Sequence, residues 1–300
     1  MSAQFEILPL AKTELSPGFE ILRGLPQKAL RRISAWIFLD HLGPVEVTRE
    51  AQLHVHSHPH IGLQTFTWMI EGEIAHHDSL GYQQAISPGQ INLMTSGDGI
   101  AHTEISLNAS GRLHSAQLWI ALPESHKHTP AAFENYPKLP IIDNDTYQET
   151  VLVGQWQEHV SPVKVHTPLV SVDIFAKQSH THTLDLNPEF EYGLMVLEGS
   201  MQLQEHDLNA ENLIYLPKGQ SQVSIEIPQG SRVLLIGGAP FEEELIVWWN
   251  LVARTQAEIE QAREDWQNQS ERFGQLAQLG DGWLQAPAIT GTLKATKARP

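Results

Sequence analysis

HSHPHIGLQTFTWMIEGEIAHHDS, residues 56–79, is the stretch on which the fold turns. Its centre is rich in Thr, Phe, Trp, Leu and Ile, side chains that fit a pleated, half-buried surface. Glu71-Gly72 reads as a tight connection to the next run. Ahead of it, His58 and His60 are spaced i, i+2, which in an extended strand turns both side chains to one face. Pro59 between them lacks an N–H and belongs at an edge or a rim. Gly62 lets backbone approach closely just after the pair. A second stretch, PGQINLMTSGDGIAHTEI, residues 88–105, places His102 and Glu104 at the same spacing. If the two strands are neighbours, three imidazoles and one carboxylate meet at one point. Such a set suits a divalent transition metal better than magnesium or calcium and leaves coordination positions open.

Working outward, SAWIFLDHLG, QINLMTS and RLHSAQLWIALP continue the rhythm of short strands with Gly and Pro between them. That pattern predicts an antiparallel sandwich or barrel rather than βαβ units. A looser Pro-rich stretch, ESHKHTPAAFENYPKLPIIDNDTY, precedes a second set of strand-like runs. The halves share a cadence: GLQTFTWMIEGEI corresponds to FEYGLMVLEGSMQL, and AISPGQINLM to LNAENLIYLPKG. The expectation is an all-β chain with a duplicated barrel: residues 1–135 a metal-binding barrel, 136–250 a second barrel without a metal site, and 251–300 a helix and tail. Thr255 and Glu258 have capping-box spacing, and Ile259, Ala262, Arg263 and Trp266 form a stripe behind them. The stretch from Gly274 on reads as an irregular tail that lies over the body or frays.

Composition narrows the function. The net charge of −16 repels phosphate backbones, so direct nucleic-acid binding is not expected. The chain has no cysteine, which excludes disulfides and thiolate chemistry and fits a reducing cytoplasm. No segment has the apolar length of a membrane span, and the first residues lack the pattern of a signal peptide. No P-loop, G-x-S-x-G or dinucleotide fingerprint lies in a strand-to-helix context.

Other histidines compete for attention. His54 and His56 share the parity of His58 and His60 but read as a hydrophilic strand end, in reserve as ligands. Of His76 and His77 at most one faces the cavity. His114, His126 and His128 read as surface groups or as neighbours of the site. In the second half, alignment of Gly199 with Gly72 puts Asp185 and Asn187 where His58 and His60 stand, so His180 and His182 do not predict a second metal. Phe66, Trp68, Met94 and Trp119 are candidate cavity residues and equally ordinary core residues.

The chain resembles the pirin family of bicupins, in the cupin superfamily. FLDHLGP, HPHIGLQTFTWMIEGEIAHHDSLG, PGQINLMTSGDGIAHTE, LHSAQLWIALP and RTQAEIEQAREDWQNQSERFG carry the resemblance. It implies two stacked barrels with one metal in the first, held by His58, His60, His102 and Glu104. Iron is the first choice of metal; manganese, cobalt, nickel, copper and zinc are alternatives. It further implies quercetinase activity in some bacterial members, in which dioxygen opens the central ring of a flavonol and carbon monoxide leaves. Other members resemble non-enzymatic, redox-responsive regulators that bind a partner protein. A sugar-isomerase-like or purely structural cupin is a third reading. The favoured one is a monomeric dioxygenase taking a flavonol-like substrate and dioxygen, with Glu104 as ligand and candidate general base. Many members have glutamate where this chain has Gln64; the expected consequence is altered hydrogen bonding around the site, not loss of metal.

Overall fold

A computed structural model describes residues 4–16, 19–48, 52–107, 111–275 and 282–297. The chain divides into two compact units. One takes the segment through Lys12, Leu22–His41 and Lys138–Phe241; the other takes Thr13–Ile21, Leu42–Pro137 and the chain from Glu242 on. Neither is contiguous, in contrast to the segments 1–135, 136–250 and 251–300 expected from sequence. Strand pairing is the reason. β1 (Glu6–Pro9) lies antiparallel to Asn212–Leu216, with Glu6 opposite Tyr215. Phe5 and Ile7 pack into the core of the same unit. Local apolar pattern does not specify which sheet a terminal strand joins.

Next along the chain are β2 (Ala11–Ser16), β3 (Phe19–Leu25), β4 (Trp36–Val47), β5 (His54–His60), β6 (Leu63–Glu71) and β7 (Ile74–Asp78). After them come β8 (Gln83–Ile86), β9 (Ile91–Thr95), β10 (Ile100–Ser106), β11 (Gly111–Ala121) and β12 (Ala132–Tyr136). They form two sheets, ordered β12-β9-β6-β11-β4-β3-β2 and β5-β10-β7-β8. Phe19, Leu42, Val47 and Met69 from the larger sheet meet Ile74 and Ile86 from the smaller in one buried cluster. Closing two sheets on a shared apolar interior is how antiparallel strands of this length bury one face. The other unit repeats the plan, a seven-stranded and a four-stranded sheet around Val172, Leu194, Leu235 and their neighbours. The fold is the expected all-β pair of cupin barrels.

Helix α1 (Gln256–Gln267) forms with both halves of its capping box, Thr255 to the Glu258 N–H and Glu258 to the Thr255 N–H. It buries Ile259, Ala262 and Trp266. Arg263 leaves that stripe and donates from Nε to the Pro287 carbonyl at 2.6 Å. The described part of the tail lies over the body: Leu284 N–H donates to the Ser57 carbonyl at 2.8 Å, and Trp266 Nε1–H to the Leu284 carbonyl at 2.8 Å. Among the described residues no helix is long and apolar enough to cross a membrane.

Candidate metal centre

β5 and β10 are antiparallel neighbours, with His58 directly opposite His102. Directly opposed residues on paired strands project to the same side, so the rings meet. Glu104 is opposite Val55, so the register shifts and β5 carries an extra residue between them. This bulge breaks the parity on which His54 and His56 were candidates. Both are exposed and lie against each other with ring centroids 4.3 Å apart, while His58 and His60 are buried. Gly62 has φ +69°, and a Cβ there would stand 2.2 Å from the Val252 carbonyl oxygen. Only glycine allows Val252 N–H to bond the Ile61 carbonyl at 3.1 Å and bring the following backbone against the site.

The candidate ligand nitrogens are oriented by hydrogen bonds. His58 Nδ1 is 2.8 Å from the His56 carbonyl, and His60 Nδ1 is 3.0 Å from the Asn250 carbonyl. A carbonyl only accepts, so each Nδ1 carries the ring proton and each Nε2 is a bare lone pair. His60 Nε2 and His102 Nε2 are 3.2 Å apart. Two nitrogens each about 2.1 Å from a common ion span that distance at an angle of roughly 100°. His58, His60 and His102 offer ligand atoms all within 4.8 Å of one another. Glu104 connects through His102: its carboxylate forms a second group of that size with His102 and His76.

Burial dominates the electrostatics. It pushes His58 down to about 4 and holds His60 and His102 well below the ordinary imidazole range, where neighbouring rings add to the effect. All three are neutral at pH 7, the ligating form. Burial pushes the Glu104 carboxyl up to about 7 against the weaker pull of hydrogen bonds from Gln117 and Thr67. Those two bonds are long, 3.5 Å each, because Thr67 and Gln117 bond each other at 2.9 Å. Three neutral imidazoles and one poorly compensated carboxyl fit a divalent transition metal.

His76 is the member of its pair that is buried, on β7 opposite Glu104, while His77 is partly exposed. It stacks on Phe133 with centroids 4.3 Å apart. Trp119 meets His60 edge to face at 5.0 Å, and Phe66, Trp68 and Met94 are buried with it. Gln64, on β6, donates to Thr95 Oγ1 at 2.9 Å. His126 bonds Ser125 and His128 pairs with Asp98, both in exposed positions, whereas His114 is fully buried. In the other unit His182 Nε2 lies 3.2 Å from Glu149 Oε1, and Trp156 donates to the same oxygen. Asp78, Thr67, Gln117 and the Asn250 carbonyl were not anticipated. The i, i+2 spacing of His76 and Asp78 was the available signal for the first.

The fold and its buried histidine cluster define a cupin with a candidate metal centre. The chain belongs to the pirin family. The Pirin family model matches residues 18–120, and the Pirin C-terminal cupin domain matches residues 171–274. A Pseudomonas aeruginosa protein provisionally named quercetin 2,3-dioxygenase is 43% identical over 94% of this chain and 90% of its own. A pirin-like protein of Caulobacter vibrioides is 32% identical over 83% of this chain and 88% of its own. The crystal structure of quercetin 2,3-dioxygenase from Acinetobacter baumannii superimposes with a TM-score of 0.95 at 47% identity, covering 98% of each chain.

Proposed function

We propose that this protein is a metal-dependent dioxygenase of the quercetin 2,3-dioxygenase type, opening the central ring of a flavonol-like substrate with release of carbon monoxide. His58, His60, His102 and Glu104 would hold one divalent transition metal, iron first. The observation that carries the reading is the meeting of three buried, neutral imidazoles, with ligand atoms within 4.8 Å of one another and the Nε2 atoms of His60 and His102 3.2 Å apart, beside a buried carboxyl. The names of the Pseudomonas and Acinetobacter relatives support the substrate class.

When bound, the metal supplies Lewis acidity toward a substrate hydroxyl and electronic access to dioxygen. The remaining work falls to side chains. Asn250 and His56 carbonyls fix the ring planes of His60 and His58. Glu104, ionised, takes the flavonol 3-hydroxyl proton on a carboxylate oxygen, and Thr67 and Gln117 lie 3.5 Å from that carboxylate. Trp119 packs edge to face on His60 and Phe133 stacks on His76, so apolar rings line the buried histidines.

Metal analysis of the purified protein with an oxygen-electrode assay on quercetin tests the proposal. His58→Ala and His102→Ala are expected to lose both bound metal and oxygen uptake. Turnover that persists in metal-free protein, or metal without turnover, would overturn it; the second result points to a regulator.

A further inference from the structure

We propose that Asp78 and His76 are positioning residues that fix the ring tautomer of His102 and so present its Nε2 as a bare lone pair; the inference rests on the metal-centre reading above. His76 and Asp78 alternate on β7, opposite Glu104 and His102 of β10, so the four side chains share one face. Asp78 is anchored: Oδ1 accepts the Leu80 N–H at 2.9 Å and the Tyr82 N–H at 3.1 Å. Its Oδ2 lies 3.0 Å from His76 Nε2. A carboxylate only accepts, so His76 carries its proton on Nε2 and has a lone pair at Nδ1. That Nδ1 is 3.2 Å from His102 Nδ1, which must therefore be the donor. Its proton thus placed, His102 turns a bare Nε2 toward His60. The stack of His76 on Phe133, at an interplanar angle of 15°, holds the relaying ring in plane.

The device differs from those at the other two ligands. His58 and His60 are set by backbone carbonyls, which no side-chain substitution reverses. The His102 tautomer is set by side chains alone, and its polarity is invertible. In Asp78→Asn the amide oxygen keeps the two backbone bonds and the amide N–H faces His76 Nε2. His76 then carries its proton on Nδ1 and donates to His102 Nδ1, which moves the His102 proton to Nε2, the atom needed by the metal. The neutral isostere of the carboxylate in a serine-protease triad acts through a wrong tautomer in the same way.

The test uses full-length protein labelled with 15N-histidine. In metal-free wild type, NMR is expected to show His102 protonated at Nδ1 and bare at Nε2, and in Asp78→Asn the reverse. Zn(II), a redox-silent probe, is expected to bind about 10–100-fold more weakly to the variant. His76→Phe retains a ring against Phe133 and cuts the relay; in that background Asp78→Asn should change Zn(II) affinity by no more than about twofold. A wild-type His102 protonated at Nε2 overturns the proposal without any variant. So does an equal loss of affinity in both backgrounds, which marks a structural role. Wild type that binds no Zn(II) sinks the metal-centre reading, whereas the tautomer measurement judges the relay by itself.

Discussion

Glu104→Gln is expected to stabilise the metal-free protein at alkaline pH, although it alters a proposed ligand. The Glu104 carboxyl titrates at about 7 in the folded chain against 4.5 unperturbed, because burial outweighs the two long hydrogen bonds it receives. A carboxyl whose folded value is raised contributes stability that is full below 4.5 and is lost as pH rises to about 7. At about 1.4 kcal/mol per pH step across that window, the loss is about 3 kcal/mol, constant above it. Glutamine does not ionise. The variant should thus match wild type near pH 4.5 and exceed it by about 3 kcal/mol at pH 8, or roughly 6–12 °C in the melting of the unit holding the site. Scanning calorimetry in the presence of chelator, from pH 4.5 to 8, reads this directly. With metal bound the sign inverts, since ligand binding stabilises only the folded state and the variant binds less tightly. A metal-free variant no more stable than wild type at pH 8, or an advantage that shrinks as pH rises, refutes the reasoning.

Metal affinity should rise about tenfold per pH unit below 7 and level off above, with one proton released from Glu104; Glu104→Gln should flatten the profile in competition titrations. Gly62→Ala should cost at least ~1–2 kcal/mol in denaturant melts from the left-handed backbone alone. It should also weaken metal binding, because relieving the approach to the Val252 carbonyl moves the chain that supplies the Asn250 carbonyl to His60. Thr255→Ala should cost about 1 kcal/mol through the lost cap, measured by urea unfolding. Trp266→Ala should cost about 3–5 kcal/mol by the same measurement, since the ring is fully buried and also donates to Leu284.

The histidine cluster was legible because a strand has a period of two and the two motifs lie on adjacent strands. The same rule, applied one step further, would have selected His76 and Asp78, whose spacing equals that of the ligands. Parity alone would also place His54 and His56 on that face; the bulge in β5 resets it, and both stand exposed as the hydrophilic strand end expected from sequence. β1 and the Asn250 carbonyl were invisible for a different reason. Each acts on a partner more than a hundred residues away, through backbone atoms that every sequence possesses.

The C-terminal segment shapes the candidate site through distant contacts of the same kind. Ile61 and Ala101 each lie next to a proposed ligand, His60 and His102, and both are buried in one cluster with Ile259, Ala262 and Trp266 of α1. Next to His58, Ser57 is held by the tail through Leu284. The proposed ligands come from the first half, yet the backs of their strands are clamped by residues beyond 245. Imidazoles on a two-strand ribbon alone would vary in separation by far more than the few tenths of an ångström that metal coordination tolerates. The helix and tail remove that freedom, so their loss should loosen the metal before it unfolds the barrel.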